Sequence, residues 1–119
     1  MSQKSLCLIS TLLCVFLAPQ VALSHPPSQI QATFDPENHV LEISVIHAVP
    51  DPKGDHYISE IRVFRNDEEI ILQKMASQFS SREQKVQYLV IDAQKGDTFK
   101  IYALCSKFGD RSITLKVGE

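Results

Sequence analysis

Apolar and polar residues alternate along most of the chain from Gln29 onward, with the period of two that is typical of β-strands. Each alternating run ends at turn-forming residues such as Asp35-Pro36-Glu37-Asn38, and no run has a convincing helical period. The strands predicted in this way cover residues 29–34, 41–45, 57–64, 69–75, 85–91, 99–105 and 113–117. The polar stretch 76–83 is interpreted as a longer connection that crosses between sheets. The pattern predicts an all-β fold, an immunoglobulin-like antiparallel β-sandwich of about seven strands.

The first 24 residues have a different pattern, which is typical of a secretory signal. Lys4 is the only charged residue before an almost wholly apolar run at 6–18, and Ala22 and Ser24 supply the small residues that signal peptidase requires. The run is too short and too early to predict a membrane-spanning helix. We therefore predict a cleaved signal at 1–24 and a single domain at 25–119. The protein is expected to be exported, periplasmic or extracellular, without a membrane partner after cleavage.

Cleavage after Ser24 would change both the charge and the cysteine count. The full chain has a formal charge of −2, and loss of Lys4 would make it about −3 at neutral pH. This balance argues against nucleic acid or an anionic membrane surface as a partner. Cleavage would also remove Cys7 and Cys14 and leave Cys105 alone. A single cysteine cannot form an internal disulfide, so Cys105 is expected to be buried and inert, paired with another chain in a homo-oligomer, or used chemically.

Two histidines flank the loop between the second and third predicted strands. His47 is in phase with the apolar face of one strand, and His56 begins the next. Such a loop brings two imidazoles to one end of a sheet, where neutral nitrogens can bind a metal ion. Taken singly, His25, His47 and His56 are more often ordinary residues, Cys105 is more often a small buried hydrophobe, and His39 is expected to be solvated. Together, three imidazoles and a thiol supply the donors that iron, copper and zinc prefer.

The order and spacing of these residues resemble a known family. The relevant stretches are His25-Pro26-Pro27-Ser28-Gln29-Ile30, then His47 followed by prolines, then His56-Tyr57-Ile58, and finally Cys105 with Phe108-Gly109 shortly after it. This arrangement resembles the iron-binding domain of the desulfoferrodoxin and superoxide reductase family, through nearly all of the chain after residue 24. The resemblance implies an immunoglobulin-like sandwich, in agreement with the strand pattern.

The resemblance also implies a metal centre and a reaction. In that family, four equatorial histidines and an axial cysteine thiolate hold a mononuclear non-haem iron, and superoxide occupies the open sixth position. Matched residue by residue, His25, His47 and His56 would be three of the histidine ligands and Cys105 the thiolate. The implied activity is the reduction of superoxide to hydrogen peroxide. Superoxide or another small anion would be the ligand, and an external electron donor protein would re-reduce the iron, because no second redox centre is visible in the chain.

The chain departs from the family pattern in three places. Phe108 stands where the family has its fourth histidine, Leu23-Ser24 replace the usual Glu-Lys pair before His25, and the loop between His47 and His56 is longer than usual. If the signal is cut after Ser24, the free α-amine of His25 would supply a fourth nitrogen, an arrangement known in copper proteins as a histidine brace.

These departures leave two other functions open. One is a metal-binding or metal-handling module that holds copper, zinc or iron without turnover. The other is a degenerate sandwich without a metal, which acts as an interaction module through its edge strands.

Overall fold

The computed structural model describes residues 25–118 as seven strands in two sheets. The strands are β1 (Gln29–Asp35), β2 (Val40–Ile46), β3 (Ile58–Arg65), β4 (Glu68–Lys74), β5 (Glu83–Leu89), β6 (Thr98–Cys105) and β7 (Asp110–Lys116). The first sheet has the order β1-β2-β5 and the second the order β4-β3-β6-β7, with every pairing antiparallel. The prediction of an all-β antiparallel sandwich of about seven strands is confirmed. The predicted signal at 1–24 lies outside the described residues.

The core forms where the apolar faces of the two sheets meet. In β2, Leu41, Ile43 and Val45 are completely buried, because alternate residues of a strand point to the same side of the sheet. Phe99 and Ile101 of β6 are completely buried from the opposite sheet. Burial of one such side chain contributes about 1.5–3 kcal/mol, so this two-sided core is the main source of stability. Residues 25–118 contain no helix with the length and apolarity that a membrane span requires.

Two strands begin two or three residues earlier than the apolar pattern predicts. β5 runs from Glu83 to Leu89 instead of 85–91, and β7 begins at Asp110 instead of residue 113. Both are edge strands of their sheets, and their first residues are polar yet paired through the backbone, Glu83 with Ile46 and Asp110 with Leu104. The connection between β4 and β5 does cross from one sheet to the other, as predicted.

The segment 25–28 lies across one end of the sandwich and is held by both sheets. The backbone N–H of Ser28 donates to the carbonyl of Ile46 in the first sheet at 2.9 Å. The Arg111 Nε–H of the second sheet donates to the carbonyl of Pro27 at 2.7 Å. β2 ends, β3 begins and β6 ends at this same end of the sandwich, because Gln29 is paired with Ile46 and Ile58 with Cys105. We call it the β2–β3 end.

Candidate metal centre

Three imidazoles meet at the β2–β3 end. One ring nitrogen from each of His25, His47 and His56 lies within 4.8 Å of the others. The ring centroids are separated by 5.0 Å for His25 and His47, 5.4 Å for His25 and His56, and 4.8 Å for His47 and His56. The rings are steeply inclined to one another, at 61° to 85°, so no two of them are stacked face to face.

Each histidine lies on a different segment of the backbone. His25 comes from the segment before β1, His47 follows the last residue of β2, and His56 lies two residues before β3. His47 continues the buried alternation of β2 and is completely inaccessible to solvent, whereas His25 and His56 are partly exposed. The three rings therefore form a site with a buried base and an accessible outer side.

Oxygen atoms lie within hydrogen-bond distance of the Nδ1 atoms of two of these rings. His47 Nδ1 lies 2.9 Å from Gln78 Oε1, and His25 Nδ1 lies 3.1 Å from the carbonyl oxygen of Pro26. Both partners are oxygen acceptors, so each contact is a hydrogen bond when Nδ1 carries the proton, and a neutral ring then keeps its lone pair on Nε2. His47 Nε2 in turn lies 3.2 Å from the carbonyl oxygen of His25. Two acceptors that face each other attract a cation, which relieves their repulsion.

His56 has a buried nitrogen without a protein partner. Its Nε2 atom is shielded from solvent and makes no hydrogen bond to any of the described residues. Burial lowers the pKa of His56 below its usual value, and the nearby His47 and His25 rings lower it further through charge repulsion. The ring is thus held in the neutral form, which is the form that binds a metal.

The donor set and its spacing fit a metal ion. Iron, copper and zinc all accept imidazole nitrogens, and at the bond length of about 2.0–2.1 Å in tetrahedral zinc two nitrogens on one ion are about 3.4 Å apart. The observed limit of 4.8 Å is longer than that value, so the three side chains must draw together by roughly 1 Å to share one ion. A buried imidazole nitrogen without a partner is the feature that such an ion would satisfy.

Strand pairing brings the backbone of Cys105 near this group of three histidines, but its thiol is not part of the group. The residue ends β6, is 4% exposed and is paired with Ile58, the residue two positions after His56. The next residue, Ser106, donates from its N–H to the carbonyl of Tyr57 at 2.8 Å. Cys105 Sγ accepts a hydrogen bond from the Lys107 N–H at 3.5 Å. Its thiol is not among the ligand atoms that lie within 4.8 Å of one another.

The turn after Cys105 and the loop before His56 are joined by an ion pair. Lys107 Nζ donates to Asp55 Oδ2 at 2.8 Å, and this contact raises the pKa of Lys107 and lowers that of Asp55. Phe108 lies in the same turn with 63% of its surface exposed. A phenyl ring cannot coordinate a metal, so the turn contributes no imidazole at this position.

Two further observations were not expected from the sequence. Gln78, in the connection between β4 and β5, is buried against His47, whereas the sequence predicted only a polar connection at residues 76–83. His39, expected to be solvated, is partly buried at a turn with a positive φ of 59°, and its Nδ1 has no partner among the described residues. His39 is outside the group of three imidazoles.

Comparison with solved structures supports the fold. The chain is similar to the superoxide reductase (1Fe-SOR) from Giardia intestinalis, with a TM-score of 0.54 and 18% sequence identity over 79% of this chain and 98% of that chain. Comparisons with protein-family models and with curated proteins give no match. At this identity the likeness shows a fold similar to that of a superoxide reductase.

Proposed function

We propose that this chain is an exported iron protein that reduces superoxide to hydrogen peroxide, with His25, His47, His56 and Cys105 as the metal ligands. The observation that carries the proposal is the convergence of three imidazoles, one of them with a buried and unpartnered nitrogen, at one end of the sandwich. The likeness in fold to a superoxide reductase also supports it.

The chain's own residues prepare the site for a cation. The Nδ1 contacts of His25 and His47 leave both Nε2 lone pairs available, and burial keeps His56 neutral. The Lys107 N–H donates to Cys105 Sγ, an arrangement that stabilises negative charge on the sulfur. A bound ferrous ion would supply the one electron that, with two protons from water, converts superoxide to hydrogen peroxide, and an external donor protein would return that electron.

The surroundings of the site suit a small anionic substrate. His25 and His56 are partly exposed, so a small molecule can reach the outer side of the three rings. The Lys107 side chain is 43% exposed and lies in the same turn as the backbone amide that contacts Cys105. Its ammonium group is shared with Asp55, and an approaching anion would compete with that carboxylate for it.

A second function is favoured by the composition of the group itself. The ligand atoms that lie within 4.8 Å of one another belong to histidines only, and three histidines are also a donor set of zinc sites. In this alternative, the protein binds zinc or copper outside the cytoplasm without turnover, and Cys105 remains a buried apolar residue of the core.

Metal analysis together with an optical spectrum separates the two functions. The protein is purified after expression of the full-length chain, and iron, copper and zinc are quantified in the same sample used for the visible spectrum. About one iron per chain and a thiolate-to-iron absorption band are expected, and the Cys105→Ser variant should lose the band. Zinc or copper at that ratio without a visible thiolate band would favour the binding function. A band that persists in Cys105→Ser would contradict thiolate ligation.

A further inference from the structure

The side chain of Gln78 connects the base of the histidine site to the start of β3. It is 5% exposed, and its Oε1 lies 2.9 Å from His47 Nδ1 and accepts the N–H of Ile58 at 3.1 Å. Its Nε2 donates to the carbonyl of His47 at 2.7 Å and to that of Ser80 at 2.9 Å. Both ends of the amide are therefore satisfied by partners on three different segments.

These partners define the orientation of the amide. The nitrogen faces two carbonyl oxygens, which only accept, and the oxygen faces the Ile58 N–H, which only donates. Rotation of the amide by 180° would place its single oxygen against two carbonyl oxygens and its NH₂ group against the N–H of Ile58. The atom that faces His47 Nδ1 at 2.9 Å is consequently an oxygen, which accepts a hydrogen bond only when Nδ1 carries the proton. The other ring nitrogen, Nε2, faces the carbonyl oxygen of His25 at the longer distance of 3.2 Å, so the Gln78 contact is the one that favours a proton on Nδ1.

The backbone of Gln78 is anchored as firmly as its side chain. The Gln78 N–H donates to the carbonyl of Pro52, in the loop between the two histidines, at 2.8 Å. The same connection accepts the N–H of His47 at the Arg82 carbonyl, 2.9 Å away. The side-chain amide of Gln78 is thus fixed by its own contacts, and it determines the orientation of the His47 imidazole.

We propose that Gln78 is a positioning residue that holds His47 in the Nδ1–H tautomer, so that its Nε2 lone pair is directed toward His25 and His56. The inference rests on the metal site proposed above and concerns how this chain orients one of its ligands. Outer partners that orient a ligating histidine affect metal affinity by about 10- to 100-fold when they are lost. An effect of that size is expected for Gln78.

Gln84 is a matched control for this inference. It is also a buried glutamine, 4% exposed, and it holds the same connection by donating to the carbonyl of Ser77 at 2.8 Å and accepting the N–H of Phe79 at 3.0 Å. Among its contacts there is a carbonyl of β3, that of Ile58, but no histidine. Loss of Gln84 should loosen the connection without changing the tautomer of His47.

The experiment measures the tautomer and the affinity separately. The protein is expressed from the full-length chain, and metal-free samples are analysed by long-range ¹H–¹⁵N NMR of the imidazoles at pH 8. Zn²⁺ alone is then titrated against a competing chelator. In the wild type, the His47 proton should reside on Nδ1. Gln78→Leu should lose that preference and bind Zn²⁺ at least tenfold more weakly, whereas Gln84→Leu should keep both within about threefold.

Gln78→Glu tests the oxygen contact alone. The carboxylate still accepts from His47 Nδ1 but no longer donates to the carbonyls of His47 and Ser80, so the variant should be less stable while it keeps the tautomer and most of the Zn²⁺ affinity. A wild-type His47 proton on Nε2, or equal loss of affinity in Gln78→Leu and Gln84→Leu, would overturn the role of Gln78. Absence of Zn²⁺ binding by the wild type would instead overturn the metal site, and the tautomer measurement would still judge the role of Gln78.

Discussion

Replacement of Gly109 by alanine tests how strongly the site depends on the turn between β6 and β7. Gly109 has a φ of +84°, and its carbonyl accepts the N–H of Cys105 at 3.0 Å to close the turn. A Cβ at this position would lie 2.7 Å from Pro26 Cβ and 3.2 Å from Pro26 Cα. The first distance is shorter than carbon atoms tolerate and the second is tight, so either the turn or the segment that carries His25 must move.

The expected loss of free energy of unfolding in Gly109→Ala has two parts, one from the backbone conformation and one from the contact with Pro26. The left-handed backbone conformation costs an alanine about 1–2 kcal/mol. Forcing a methyl group into an occupied space adds about 1–3 kcal/mol. We therefore expect Gly109→Ala to lower the free energy of unfolding by about 2–5 kcal/mol, if the two parts add. Displacement of Pro26 also moves His25, so Zn²⁺ affinity should fall by about tenfold or more.

Gly96→Ala is the matched control. Gly96 has a similar φ of +93°, but a Cβ there would meet no atom within 4 Å. Only the backbone part, about 1–2 kcal/mol, is expected, with unchanged Zn²⁺ affinity. Urea denaturation of the metal-free proteins gives the free energies, and chelator competition gives the affinities. Equal destabilisation of the two variants, or unaltered Zn²⁺ binding by Gly109→Ala, would refute the argument that the turn positions His25.

Two further predictions concern histidines with an unpartnered buried nitrogen. His56→Asn should lose stoichiometric metal binding, whereas His39→Asn, which removes a similar orphaned nitrogen outside the group, should retain it; metal analysis of both variants decides this. The metal-free protein should become less stable as the pH falls through about 6.5, because the lowered pKa of His56 means that the unfolded chain binds more protons than the folded one. Urea denaturation at several pH values gives the free energy of unfolding, which should change less steeply with pH in His56→Asn than in the wild type. An equally steep change in both proteins would contradict the assignment to His56.

The fold was predictable because burial in a sandwich has the same period as the strand itself. Leu41, Ile43 and Val45 share one buried face, and the same alternation continues to His47. The starts of β5 and β7 were not predictable, because Glu83 and Asp110 lie on edge strands where backbone pairing continues without apolar side chains. Patterns of burial therefore define central strands better than edges.

The site was predictable only in part, because some of its contacts join residues that are far apart in the sequence. His47 and His56 flank one loop, so local geometry indicates that they meet, but the approach of His25 depends on contacts with both sheets and was expected only from the family resemblance. The role of Gln78 had no signal of its own, because its partners lie far from it in the sequence. It reaches His47, for example, over 31 residues. Hydrogen bonds of this kind exist only once the fold has formed.

The bond between Arg111 and Pro27 also has a consequence for the order of assembly. The two residues are separated by 84 positions, and the segment that carries His25 is held partly by β7, the last strand described. Contacts of such long range form late, since a large loop must close before they are gained. During synthesis, the segment that carries His25 gains its anchor on the second sheet only after the last strand has emerged and docked. Cofactor loading is therefore expected to follow completion of the chain, and a nascent or truncated polypeptide would lack the preformed centre.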